Sequence, residues 1–187
     1  MASSMLLAAN PVIGCDLDGC LADYRSIHDR IVAGGETPYS EIKDDPTFWA
    51  ELPAYKGAEG WLGRLSTHDQ PVYFITSRFG TCPQQQTHEW LVDHGMTHPA
   101  VIVTSQPAND AERKRAIGDR DKAFVARYTG VDAMIDDSEA VFRSFEKSNP
   151  SCAFFLVDRP WNTHVPMRRP NQRRVNDVGE ALEKLGL

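Results

Sequence analysis

Val12-Ile13-Gly14-Cys15-Asp16-Leu17-Asp18-Gly19-Cys20-Leu21-Ala22-Asp23 places two acids, spaced i, i+2, directly after a short apolar run and just before a glycine. In open parallel sheets, ligands collect beyond the carboxyl ends of the strands, so Asp16 and Asp18 can converge there on one point. Gly19 then lets the backbone turn and approach a ligand closely. Taken alone, an Asp-x-Asp pair also reads as turn and helix-capping chemistry. The remainder of the chain decides between the two.

Four further strand-sized apolar runs follow, at Pro71 to Ile75, Ala100 to Val103, Val131 to Ile135 and Cys152 to Val157. They are rich in Val, Ile and Phe without strict alternation, the pattern of strands buried on both faces of a parallel sheet. Helically spaced segments such as Thr87 to His94 and Ala111 to Tyr128 lie between them. The chain therefore reads as α/β, a mostly parallel sheet flanked by helices. Asn176 to Leu185 reads as a closing helix, with Asn176 as its cap and Val178, Leu182 and Leu185 on one face. Between Tyr24 and Ser66 no strand is evident; prolines, glycines and the aromatic set Tyr39, Phe48, Trp49, Tyr55 and Trp61 take its place. Residues 24–66 are thus expected to be a small helical insertion into a core made of 1–23 and 67–187.

Chemistry-bearing side chains gather at the ends of the strands. The second run closes with Thr76-Ser77-Arg78, hydroxyl and guanidinium donors suited to a phosphate. The fourth closes with Asp136-Asp137, and adjacent buried acids are costly unless protons or a cation relieve them. A divalent cation is the simplest answer. Lys122, on the helix before that run, can neutralise a bound anion.

This order of Asp-x-Asp, Thr/Ser, Lys and Asp-Asp resembles the haloacid dehalogenase superfamily of phosphotransferases over essentially the whole chain. The stretch from Asp16 to Asp23, the insertion as a cap, and Asp158-Arg159-Pro160-Trp161-Asn162 resemble its C-type 5′(3′)-deoxyribonucleotidase-like group. The resemblance implies a Rossmann-like core and a Mg²⁺-dependent phosphomonoesterase that works through an aspartyl-phosphate. It implies Asp16 as nucleophile, Asp18 as general acid and base, and Thr76 and Lys122 as phosphate ligands, with Ser77 and Arg78 beside them. Mg²⁺ would be held by Asp16, the backbone carbonyl of Asp18, and Asp137. Asp136 would support it from behind or join as a ligand. Lys114 or a nearby arginine is the alternative to Lys122, because the interval from Lys122 to Asp137 is longer than the nucleotidase group suggests. Phe48 and Trp49 have two readings: rings that stack on a base, or the insertion's own hydrophobic core.

Composition narrows the partners. With 41% apolar and 25% charged residues among 187, the chain is neither low-complexity nor fibrous. A net charge of −6 excludes the overall basic field that drives binding to nucleic acid or anionic lipid. The expected partner is a small phosphorylated substrate, a nucleoside 5′-monophosphate by the resemblance, with no stable nucleic-acid complex and no membrane. A homodimer is compatible with the sequence. Another phosphorylated metabolite and a polynucleotide 3′-end are the alternative substrates, and a phosphoacceptor or ligand-binding module is the non-enzymatic alternative. Cys15, Cys20, Cys82 and Cys152 form no CxxC pair, and the N-terminal apolar patch is too short for a secretory signal, so a cytoplasmic location is expected. Cys15 and Cys20, lacking a paired histidine, read as small buried residues. The basic cluster Arg168, Arg169, Arg173 and Arg174 reads as a solvated face between the last strand and the last helix.

Overall fold

Six strands form one sheet in the order β3-β2-β1-β4-β5-β6, and every pairing is parallel. They are β1 (Ile13–Cys15), β2 (Val72–Thr76), β3 (Ala100–Val103), β4 (Ala133–Asp136), β5 (Ala153–Val157) and β6 (Gln172–Val175). Helices among the described residues include α1 (Tyr24–Ala33), α2 (Ala58–Ser66), α3 (Pro83–Asp93), α4 (Gly118–Tyr128), α5 (Glu139–Ser148) and α6 (Val178–Leu185). This computed structural model describes residues 10–34, 42, 44–104 and 118–187. The fold class is the α/β architecture expected from the apolar runs.

Period-two alternation divides the strand side chains between two cores. Ile13, Cys15, Phe74, Ile135 and Phe155 face one side, where they pack with Leu62 and Leu65 of α2, Trp90 and Leu91 of α3, and Leu182 of α6. Ile75, Met134, Phe154 and Leu156 face the other, against Ala123 and Ala126 of α4 and Phe142 and Phe145 of α5. Residues of the 24–66 stretch join the first of these cores directly: Ile42, Trp49 and Leu52 are buried within it.

The chain runs outward from β1 through β2 to β3, then returns to place β4 on the other flank of β1. Between β1 and β4 the crossovers therefore diverge and leave a crevice at the carboxyl ends of the strands. Asp16 and Asp136-Asp137 stand at that crevice because each immediately follows, or ends, one of those two strands.

Two local readings are corrected. Asp177, not Asn176, caps α6, its carboxylate accepting from the Glu180 N–H at 2.8 Å, while Asn176 donates to the Glu180 carboxylate. Arg173 and Arg174 belong to β6 instead of a connecting face. Arg174 is a strut: it donates to Asp158, to the Asn162 side chain and to the carbonyls of Asn162 and Val165. Such a strand escapes the apolar signature because it lies at the edge of the sheet, where charged side chains also discourage edge-to-edge pairing.

The packing sets a contrast that urea unfolding can measure. Phe154→Ala, at a side chain 2% exposed, is expected to cost about 3–5 kcal/mol. Phe124→Ala, at a ring 67% exposed, is expected to change stability by no more than about 0.5 kcal/mol.

Candidate active site

A single ammonium organises the crevice. Lys122 Nζ lies 2.8 Å from Asp16 Oδ2 and 3.0 Å from Asp136 Oδ2, and all three side chains are buried. Asp16 takes a second donor, the Leu17 N–H, on Oδ1 at 2.8 Å. Asp136 likewise receives the Ser138 N–H on Oδ1 at 2.8 Å. Asp137 completes the group: one carboxylate oxygen from each of Asp16, Asp136 and Asp137 lies within 4.8 Å of the others. Lys122 thus meets the acids that the motif order pointed to, while the alternative Lys114 lies outside the described residues.

Among the described residues these three buried carboxylates share one ammonium, so with all three ionised two negative charges go unbalanced. Burial is the largest influence on each acid and pushes Asp16, Asp136 and Asp137 above the usual carboxylate range. Repulsion between them adds to this, and Lys122 opposes it. The uncompensated charge and the oxygen-only donors fit a hard divalent cation. Asp136 is the one of the three with no exposed surface, and it fits a supporting position, whereas Asp16 and Asp137 keep 5% and 6% of theirs open towards an ion.

The Asp158–Asn162 segment secures Asp137 from the far side. Trp161 Nε1 donates to Asp137 Oδ2 at 2.9 Å, and the buried Asn162 amide donates to the carbonyls of Asp137 and Val157, each at 2.7 Å. Arg159 Nε donates to the Gly19 carbonyl at 2.7 Å. Gly19 itself has φ +91°, and a Cβ there would stand 2.3 Å from Asp137 Oδ2, so no side chain can be accommodated. These roles for Arg159, Trp161 and Asn162 are not visible in the sequence, where the segment is a pattern without assigned contacts.

The other expected site residues distribute unevenly. Thr76 is fully buried at the end of β2, where its hydroxyl accepts from the Arg78 N–H at 3.3 Å. The Ser77 hydroxyl pairs with that of Thr104 at 3.2 Å. Arg78 turns towards Asp18: its Nε lies 3.0 Å from Oδ2 and its second terminal nitrogen 2.9 Å from Oδ1. Trp49 is buried, donating from Nε1 to the Phe79 carbonyl at 2.7 Å, so its ring serves the core. Phe48 is half-buried and meets Trp49 edge-on. Burial raises the Cys15 and Cys20 thiols, so neither is a poised nucleophile.

No protein-family model matches the chain, and no curated protein matches it by sequence. Solved structures do match in shape. The D,D-heptose 1.7-bisphosphate phosphatase from B. bronchiseptica, complexed with magnesium and phosphate, has a TM-score of 0.61 at 19% identity, covering 94% of this chain and 97% of that one. A dehalogenase with an intermediate complex has a TM-score of 0.57 at 14% identity, covering 95% and 98%. The class C acid phosphatase from Bacillus anthracis with tungstate bound has a TM-score of 0.52 at 18% identity, covering 83% and 69%. At these identities the likeness is one of fold.

The charge imbalance has a measurable consequence. Each raised carboxyl binds its proton more tightly in the folded chain than in the unfolded one, where its ordinary value is 3.8. Without a cation, the stability this cluster contributes is fullest below 3.8 and is lost as pH rises to about 8. Thermal melts in chelator and in excess Mg²⁺ should therefore diverge progressively as pH rises through that window, the Mg²⁺ sample melting higher. A cation effect that is constant across the window would contradict the charge assignment.

Proposed function

We propose that this chain, which has the haloacid dehalogenase fold, is a Mg²⁺-dependent phosphomonoesterase working through an aspartyl-phosphate, with nucleoside 5′-monophosphates as its substrate class. The observation that carries the reading is Asp16, held at the switch point of the sheet between the Lys122 ammonium and two further acids.

In this reading an Asp16 carboxylate oxygen attacks phosphorus in line with the ester oxygen. As the P–O bond breaks, Asp18 gives its proton to the leaving alcohol. It then takes a proton from the water that hydrolyses the acyl-phosphate, regenerating Asp16 and releasing phosphate. Lys122 and Thr76 bind the transferred group and offset its developing charge, with Ser77 beside them. Asp16, the Asp18 carbonyl and Asp137 would hold Mg²⁺, with Asp136 behind them; the ion, when bound, screens nucleophile from phosphoryl group and orients the latter's oxygens.

The substrate class rests on the nucleotidase-like Asp16–Asp23 and Asp158–Asn162 stretches and on residues 24–66 acting as a cap. Half-buried Phe48 is the ring of the aromatic pair with surface to offer a base. A net charge of −6 favours a small ester over a polynucleotide end, which needs a basic groove. Among the described residues no helix is long and apolar enough to cross a membrane.

Phosphate release from nucleoside 5′- and 3′-monophosphates, sugar phosphates and a 3′-phosphorylated oligonucleotide tests this directly. Release is expected from nucleoside 5′-monophosphates in Mg²⁺ and not in chelator, and Asp16→Asn should lower it on the order of 10³-fold or more while the thermal midpoint is retained. Turnover that survives Asp16→Asn, or that ignores the chelator, would overturn the mechanism. Release confined to another ester would keep the mechanism and replace the substrate.

A further inference from the structure

Arg78 is wholly buried, and its guanidinium is committed on every side. Towards the crevice, Nε lies 3.2 Å from Asp18 Oδ1 and 3.0 Å from Oδ2, and a terminal nitrogen lies 2.9 Å from Oδ1. Away from it, the other terminal nitrogen donates to the Thr87 hydroxyl at 3.2 Å and the Trp49 carbonyl at 3.5 Å. Its plane is covered by indoles, with Trp49 at 5.0 Å and Trp90 at 5.8 Å. The Asp18 side chain, in contrast, keeps 17% of its surface open while that of Arg78 keeps none.

From this arrangement, and resting on the phosphatase reading above, we infer that Arg78 is a positioning residue for the proton donor Asp18 and does not bind the phosphoryl group. A planar fork contacting both carboxylate oxygens fixes the carboxyl plane as well as its place, which a point-charge ammonium cannot do. The proton given to the leaving oxygen travels through the part of the Asp18 side chain that stays open beside the closed Arg78.

The anchor of Arg78 is shared between two parts of the chain. Thr87 and Trp90 belong to α3, whereas Trp49 belongs to the 24–66 stretch. That stretch is itself strapped to α3, since the Trp49 N–H donates to the Gln86 side chain at 2.7 Å and Trp90 Nε1 donates to the Leu52 carbonyl at 2.7 Å. The orientation of Asp18 therefore depends on how residues 49–52 seat on α3. Proton delivery is set by the same contacts that hold this part of the insertion down.

Leaving-group dependence separates this role from a structural one. A p-nitrophenyl phosphate departs as a stabilised phenolate without needing a proton, whereas an alkyl phosphate needs one. For Arg78→Lys, kcat/KM on the alkyl ester, a nucleoside 5′-monophosphate or a sugar phosphate, should fall about 10²-fold and on p-nitrophenyl phosphate no more than about 3-fold. Thr87→Val, which keeps the shape of the buried side chain but frees one anchor of Arg78, should show the same selectivity on a smaller scale. It decides the matter if Arg78→Lys loses its thermal transition. In an Asp18→Asn background, Arg78→Lys should add less than about 2-fold, since its effect passes through Asp18. Equal losses on both esters, or a raised KM for both with kcat retained, would overturn the inference and return Arg78 to the fold or to the phosphate. A wild-type protein inert towards every ester would remove the phosphatase reading, and the inference with it.

Discussion

Lys122 is the counter-charge on which the crevice depends. One ammonium, buried with Asp16 and Asp136 at 2.8 and 3.0 Å, makes it tolerable to enclose three carboxylates at the meeting of β1 and β4. Desolvating an acid without a partner costs more than most domains can spare. Yet among the described residues one lysine faces three acids, and that shortfall of positive charge fits a divalent ion. The fold contributes the location: parallel strands whose crossovers diverge on either side of β1 leave a crevice at this end.

Around that centre, the surrounding contacts keep each acid in a separate role. Asp137 is held by Trp161 and by the amide of Asn162, and Gly19 removes the side chain that would collide with it. Asp18 is held instead by Arg78. Asp16 and Asp18 are two residues apart and face opposite cations, Lys122 and Arg78, each brought by a different element. In the mechanism proposed above, a nucleophile and a proton donor share one short loop because their partners are separate.

How much of this was legible in the sequence follows from burial and range. β1 to β5 stood out because strands enclosed on both faces must be apolar throughout. β6 did not, since its Arg173 and Arg174 lie at the edge of the sheet and only its two ends, Gln172 and Val175, are buried. The acids at strand ends were readable because strand termini fix where they project. Lys122 could be placed by motif order, but its contacts depend on how α4 docks against β4, which no local spacing encodes. Arg78 read as an anion donor from its neighbours Thr76 and Ser77. Its partner Asp18 is 60 positions away and becomes evident only in three dimensions. Trp49 likewise has an aromatic signature common to stacking and core packing, and the hydrogen bond from its indole to Phe79 resolves it as core.

The central claim is that Asp16 itself carries the phosphoryl group. The most direct measurement is acid quenching of the Asp18→Asn protein during turnover of p-nitrophenyl phosphate, followed by peptide mass spectrometry to locate covalent phosphate. Without the base that activates water, the acyl-phosphate should accumulate on the peptide containing Asp16, at that carboxylate. Phosphate on any other side chain, or phosphate released from p-nitrophenyl phosphate with no covalent species on the protein, would contradict the account.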